Sequence, residues 1–156
     1  MDGLSHRPTV GPILGVVLLC ASDPDDYLAA DPVIDYEHAA VAALAQTLRR
    51  DHPGETGLAE AAFEYVRDLI GHSVDAQDPR VTLSASDTLR EGVGLCFSKA
   101  HLLTALLRTQ GIQAGLCYQS LTDDGVVFSL HGLVAVHLEG AWHRQDARGN
   151  KPGIDA

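Results

Sequence analysis

Residues 88–111 read TLREGVGLCFSKAHLLTALLRTQG, and the reading of this stretch decides the fold. Cys96, Ala100, Leu103 and Leu107 recur at helical spacing in a run rich in good helix formers, which predicts a helix from about Leu95 to just before Gly111. Gly111 stands where a helix C-terminus favours glycine. Beyond it the apolar period changes to two. Ile112–Leu121 reads as a strand, Asp123-Asp124-Gly125 as a turn, and His131–Leu138 as a second strand. Glu139-Gly140 then forms a tight turn into a partner strand over Ala141–Asp146.

Upstream of this stretch the pattern is helical. A first helix is expected over about Pro32–Arg50, capped by Asp31, with Tyr36, Ala40, Ala43 and Leu44 as its apolar stripe. A second is expected over about Thr56–Ile70, with Leu58, Ala62, Tyr65, Val66 and Leu69 on one face and Gly71 at its end. His72–Leu83 reads as a polar connection. Ser84, three residues before Asp87, caps a short helix that reaches Glu91 and stops at Gly92. Helices first and an antiparallel sheet afterwards make the fold class α+β, with the Cys96 helix packed on the sheet.

At 156 residues the chain suits one domain, expected over 1–156 with a core of about 27–150 and an irregular stretch over residues 1–12. Eleven basic against 21 acidic residues leave a net charge of −10. No clustered Lys and Arg could displace counterions from nucleic acid, which excludes that partner class. The apolar run Ile13–Cys20 is too short to span a bilayer. It is expected to be a buried strand, the other reading being a signal-peptide core behind Arg7. Three cysteines with no CxxC pair fit neither a disulfide framework nor a structural zinc site, and point to a reducing, cytosolic setting.

Cys96 follows Gly92-Val93-Gly94-Leu95 and opens a helix, where unpaired N–H groups carry partial positive charge. That field favours a thiolate, and the same N–H groups can hold a developing oxyanion. The flanking glycines let the backbone turn and leave room for a substrate. Packing is nonetheless the commoner role of a free cysteine. It is the role expected for Cys20, which ends an apolar run, and Cys117, which sits mid-strand.

A two-residue Glu139-Gly140 loop pairs Leu138 with Ala141 and sets Leu133 opposite Asp146. His131, two residues back on the same face, is then the diagonal neighbour of Asp146, with backbones about 7–8 Å apart. A carboxylate can reach an imidazole over that gap, fix its tautomer and leave the other ring nitrogen for a thiol. A three-residue loop would separate the pair. His137 and His143 are competing bases, but lie near the turn and on opposite faces. His101, one turn into the Cys96 helix and off its stripe, is expected to be solvated. No HExxH or paired-Cys pattern supports a metal.

Thr88–Gly111 resembles the nucleophile segment of transglutaminase-like proteins, and HGLVAVHLEGAWHRQDARGN (131–150) resembles their His strand, turn and Asp strand. The order Cys, His, Asp matches, over roughly Leu58–Asn150. The resemblance implies a papain-like fold with Cys96, His131 and Asp146 as catalytic residues. It also implies thiol-dependent acyl chemistry on amides or esters, with a peptide or protein amide as substrate and no metal or other cofactor. The chain has Leu133 where relatives often carry an aromatic residue. Hydrolysis and transfer to an amine both stay open, as does a non-catalytic binding module on the same fold. No role is assigned to Arg148-Gly149-Asn150.

Overall fold

The computed structural model describes residues 22–122 and 124–149. The irregular N-terminus and the strand expected over Ile13–Cys20 lie outside them, as do Cys20, Asp123 and Asn150. A 3-10 turn over Pro24–Leu28 precedes four helices: α1 (Ala39–Asp51), α2 (Glu55–Leu69), α3 (Ala85–Glu91) and α4 (Cys96–Thr109). Two-residue strands β1 (Gly71–His72) and β2 (Val93–Gly94) pair in parallel. An antiparallel sheet follows in the order β3 (Ala114–Leu121), β4 (Ser129–Leu138), β5 (Ala141–Gln145). The architecture is α+β, as expected.

Helix α4 forms the centre. Every residue from Ser98 to Leu107 is buried, not only the predicted stripe. It packs on α1, α2 and α3 on one side and on β3 and β4 on the other. Leu102, Leu103, Leu106 and Leu107 meet Val41, Leu58, Val66, Val134 and Val136 in one core. Each fully buried aliphatic side chain contributes about 1.5–3 kcal/mol. At its far end Gly111 adopts φ 76°, and Ile112 N–H returns to Leu107 O.

Helix α1 begins seven residues later than the capping signal at Asp31 suggested. Asp31 does accept N–H groups, from Val33 at 2.7 Å and Ile34 at 2.8 Å, but it closes a turn rather than a helix. Tertiary contacts decide this. Ile34 is drawn into the core, and Asp35 accepts from the Ser86 N–H at 2.9 Å and the Ser86 hydroxyl at the start of α3. His38 caps α1 instead, through Nδ1. The buried stripe is Val41 and Ala45, flanked by Leu44 and Leu48; Ala40 and Ala43 face outward.

Helix α2 lies close to its expected bounds, but Leu69 is 65% exposed and Ile70 is buried in its place. Gly71 does not simply end it, because Gly71 N–H donates to Gly92 O and Ser73 N–H to Gly94 O. These bonds tie the end of α2 to the segment that leads into Cys96. The predicted Ser84 cap is in place, with Asp87 N–H at 3.1 Å from Ser84 Oγ, and Gly92 ends α3 at φ 65°.

Candidate active site

Cys96 is the first residue of α4. Leu95 before it is extended (φ −76°, ψ 172°) and has no side-chain oxygen to cap the first-turn N–H groups. The entry is set by Gly94, where an added Cβ would lie 2.8 Å from Ser98 Cβ and 2.9 Å from Thr82 Oγ1. The room left by this glycine is therefore filled by the protein's own Thr82, Thr88 and Ser98. The substrate space expected from the sequence at this glycine is thus taken up by packing. Gly92 does supply the expected turn.

The β4–β5 hairpin has the register that the two-residue loop demands. Glu139 and Gly140 both take positive φ (53° and 80°), and the ladder runs from Leu138–Ala141 to Val134–Gln145. At its open end His131 Nε2 lies 2.7 Å from Asp146 Oδ2. His131 is 7% exposed. The other carboxylate oxygen, Oδ1, accepts from Arg148 N–H at 3.0 Å. With Nε2 engaged, Nδ1 is the ring nitrogen left for other work.

The sulfur reaches this hairpin through the backbone. The ladder stops two residues short of Gly132, and Gly132 N–H donates to Cys96 Sγ at 3.4 Å. So close an approach needs glycine. A Cβ on residue 132 would stand 2.9 Å from Phe97 Cα and 3.1 Å from Phe97 N. The structure thus brings Cys96 next to Gly132, the residue after His131, and joins His131 to Asp146. Two of the three expected residues share a direct bond, and the third meets β4, the strand that carries His131.

The competing histidines lie elsewhere. His137 packs on Trp142 (ring centroids 5.3 Å apart), and His143 is exposed on β5. His101 is buried rather than solvated. Its Nδ1 lies 2.8 Å from Leu83 O, and burial pushes its pKa down. Cys117 is half-buried on β3, where burial raises its pKa.

Sequence reading missed Gly132 and Lys99, and singled out Arg148 without a role. Lys99 left a legible trace: it is a charged residue next to the Cys96–Leu103 stripe, yet it is 1% exposed. A pocket of about 290 Å³ opens beside it, lined among others by His72, Asp75, Arg148 and Gly149. Among the described residues, no cluster of His, Cys, Asp and Glu is suited to a metal. Likewise, no helix among them is long and apolar enough to cross a membrane.

The family model of the transglutaminase-like superfamily matches residues 42–147, from α1 through Asp146. The chain belongs to the transglutaminase-like superfamily. Solved structures carry the same fold. A provisionally assigned cysteine protease from Cytophaga hutchinsonii superposes with a TM-score of 0.65 at 20% identity, over 82% of this chain and 43% of that one. The periplasmic domain of TgpA from Pseudomonas aeruginosa gives 0.58 at 19% identity, over 81% and 48%. A provisionally assigned protease from Parabacteroides distasonis gives 0.54 at 17% identity, over 80% and 25%. This chain therefore spans less than half the length of these structures. No curated protein matches it.

Proposed function

We propose that this transglutaminase-like chain is a thiol enzyme in which Cys96 attacks an acyl carbonyl, His131 moves the proton and Asp146 orients His131. The observation that carries the reading is the His131–Asp146 bond of 2.7 Å on the strand whose next N–H touches the Cys96 sulfur. In the first step His131 Nδ1 takes the thiol proton and Sγ bonds to the carbonyl carbon. The oxyanion is held by N–H groups at the uncapped start of α4. Collapse expels an amine or alcohol, which His131 protonates, and leaves a thioester. Water or a second amine then attacks that thioester. Asp146 keeps the imidazole in one tautomer and stabilises its cation.

The substrate class is a peptide or protein amide. Hydrolysis is the favoured outcome, since no region suited to holding an acceptor amine stands out in the sequence. This reading treats residues 1–156 as a single domain. A reducing compartment would keep Cys96 in the thiol state that the chemistry requires.

Alkylation by iodoacetamide near pH 7 tests it. Fast, selective modification of Cys96 that is lost in His131→Ala is expected. Labelling no faster than that of an ordinary thiol would point to a binding module instead. Casein hydrolysis measured against incorporation of an amine into casein then separates protease from transglutaminase.

A further inference from the structure

We infer that Lys99 is a positioning residue for the Cys96–His131–Asp146 site, its buried ammonium fastening the turn that holds Asp146 to the helix that carries Cys96. The inference rests on the thiol-enzyme reading and adds a residue to it.

Lys99 stands one turn beyond Cys96 on α4. Its Nζ donates to three backbone carbonyls: Ile70 O at 2.5 Å, Arg148 O at 2.9 Å and Arg67 O at 3.2 Å. An ammonium has three donors, so all are used. Arg67 O and Ile70 O lie at the C-terminal end of α2, where carbonyls lack helical partners and a cation is favoured. Arg148 O belongs to the turn after β5. The same Arg148 donates its N–H to Asp146 Oδ1, while Asp146 Oδ2 faces His131 Nε2. An unbroken chain of contacts therefore runs from α4 through Lys99 and Arg148 to Asp146 and His131. It returns to α4 where Gly132 N–H meets Cys96 Sγ. The loop closes on the nucleophile helix at both ends.

The charge is costly where it sits. Burial pushes the Lys99 pKa down to about 8, Arg148 pushes the same way, and Asp68, Asp146 and Asp75 oppose them. Among the described residues, the charged and titratable groups around it are Arg67 and Asp68 at the end of α2, His72 on β1, Asp75 beyond β1, and Asp146 and Arg148 after β5. Gly149 completes the fit: a Cβ there would stand 3.3 Å from Arg67 O and 3.6 Å from Lys99 Nζ. A residue that only filled space at this point would be apolar. This one holds the turn whose Arg148 N–H bonds to Asp146.

A double-mutant cycle on Cys96 alkylation tests the role, with Lys99→Met made in wild-type and His131→Ala backgrounds. Lys99→Met is expected to slow alkylation at pH 7 by about tenfold or more in the wild type, in line with the cost of misplacing a catalytic group by about 1 Å. It should change little once His131 is gone, because its effect runs through Asp146 and His131. Gly149→Ala strains the turn at φ 115° and crowds it against Arg67 O, a carbonyl that Lys99 holds, without removing a donor, and should show the same dependence. It decides the matter if Lys99→Met does not fold. Equal slowing in both backgrounds, or none in the folded variants, would overturn the inference. If His131→Ala alone leaves alkylation unchanged, the thiol-enzyme reading itself fails, a result distinct from the other two.

Discussion

Gly132→Ala makes the sharpest demand on the proposed site. The new methyl would stand 2.9 Å from Phe97 Cα, 3.1 Å from Phe97 N and 3.2 Å from Phe97 Cβ. Ordinary carbon contacts begin near 3.4 Å, so β4 and the start of α4 must part by at least half an ångström. Two of the three atoms are backbone, so no rotamer change relieves the clash. The parting lengthens a Gly132 N–H···Sγ contact already at 3.4 Å and carries His131 away with the strand. Overpacking of this kind costs about 1–3 kcal/mol of stability. At this chain length that lowers Tm by about 2–4 °C per kcal/mol. The same shift should slow His131-dependent alkylation of Cys96 by about ten- to a hundredfold.

A matched control lies on the neighbouring strand. Gly115→Ala would place a methyl 2.9 Å from Tyr27 Cε1, but against the ring of a side chain that can pivot. It should lower Tm and leave Cys96 reactivity unchanged. The assay is second-order alkylation at pH 7 alongside thermal unfolding of both variants. If folded Gly132→Ala reacts as fast as wild type, or Gly115→Ala slows as much, then contact between β4 and α4 does not govern the sulfur.

Further outcomes follow from single contacts. Ser84→Ala removes the α3 cap at Asp87 N–H and should cost about 1 kcal/mol, read as a lower urea midpoint at unchanged m. Lys99, held at about 8 against an ordinary 10.5, binds its proton less tightly folded than unfolded. Stability should therefore rise with pH between about 8 and 10.5, by up to about 3 kcal/mol, and Lys99→Met should remove that slope in urea titrations. His101 and His72 are both pushed down by burial, so the unfolded chain takes up more protons below the ordinary histidine value of 6.5. Stability should then fall as pH drops below about 6.5, and His101→Gln should lessen the fall.

Local rules carried much of the fold. Positive φ at Glu139 and Gly140 is what a two-residue loop between twisted strands needs, so the β4–β5 register was legible, and with it the diagonal from His131 to Asp146. The Ser84 cap and the glycine stops at Gly92 and Gly111 were legible for the same reason. What failed to show depended on partners distant in the chain. Asp31 offered a sound cap, but Ile34 and Asp35 were claimed by the core and by Ser86 of α3. His101 looked polar and outward because an amphipathic reading assumes one wet face, and α4 has none along most of its length. Gly132 cannot be told from any strand glycine until Phe97 is seen against it.

The exceptions to ordinary local preference gather around one spot. A buried lysine, a buried histidine bound to a carboxylate, a helix start without a side-chain cap and a strand glycine pressed on a helix all meet around Cys96. Three of them have a cheaper replacement if folding alone mattered: an apolar residue at 99 or 131, serine or aspartate at 95. Sites that break such rules together are where proteins keep function at the expense of stability. A binding module on this fold would have no use for a buried imidazole bonded to a carboxylate on the strand whose next N–H meets a cysteine sulfur. The family likeness carries the fold. Among the readings open to that fold, this concentration of costly features favours the enzyme.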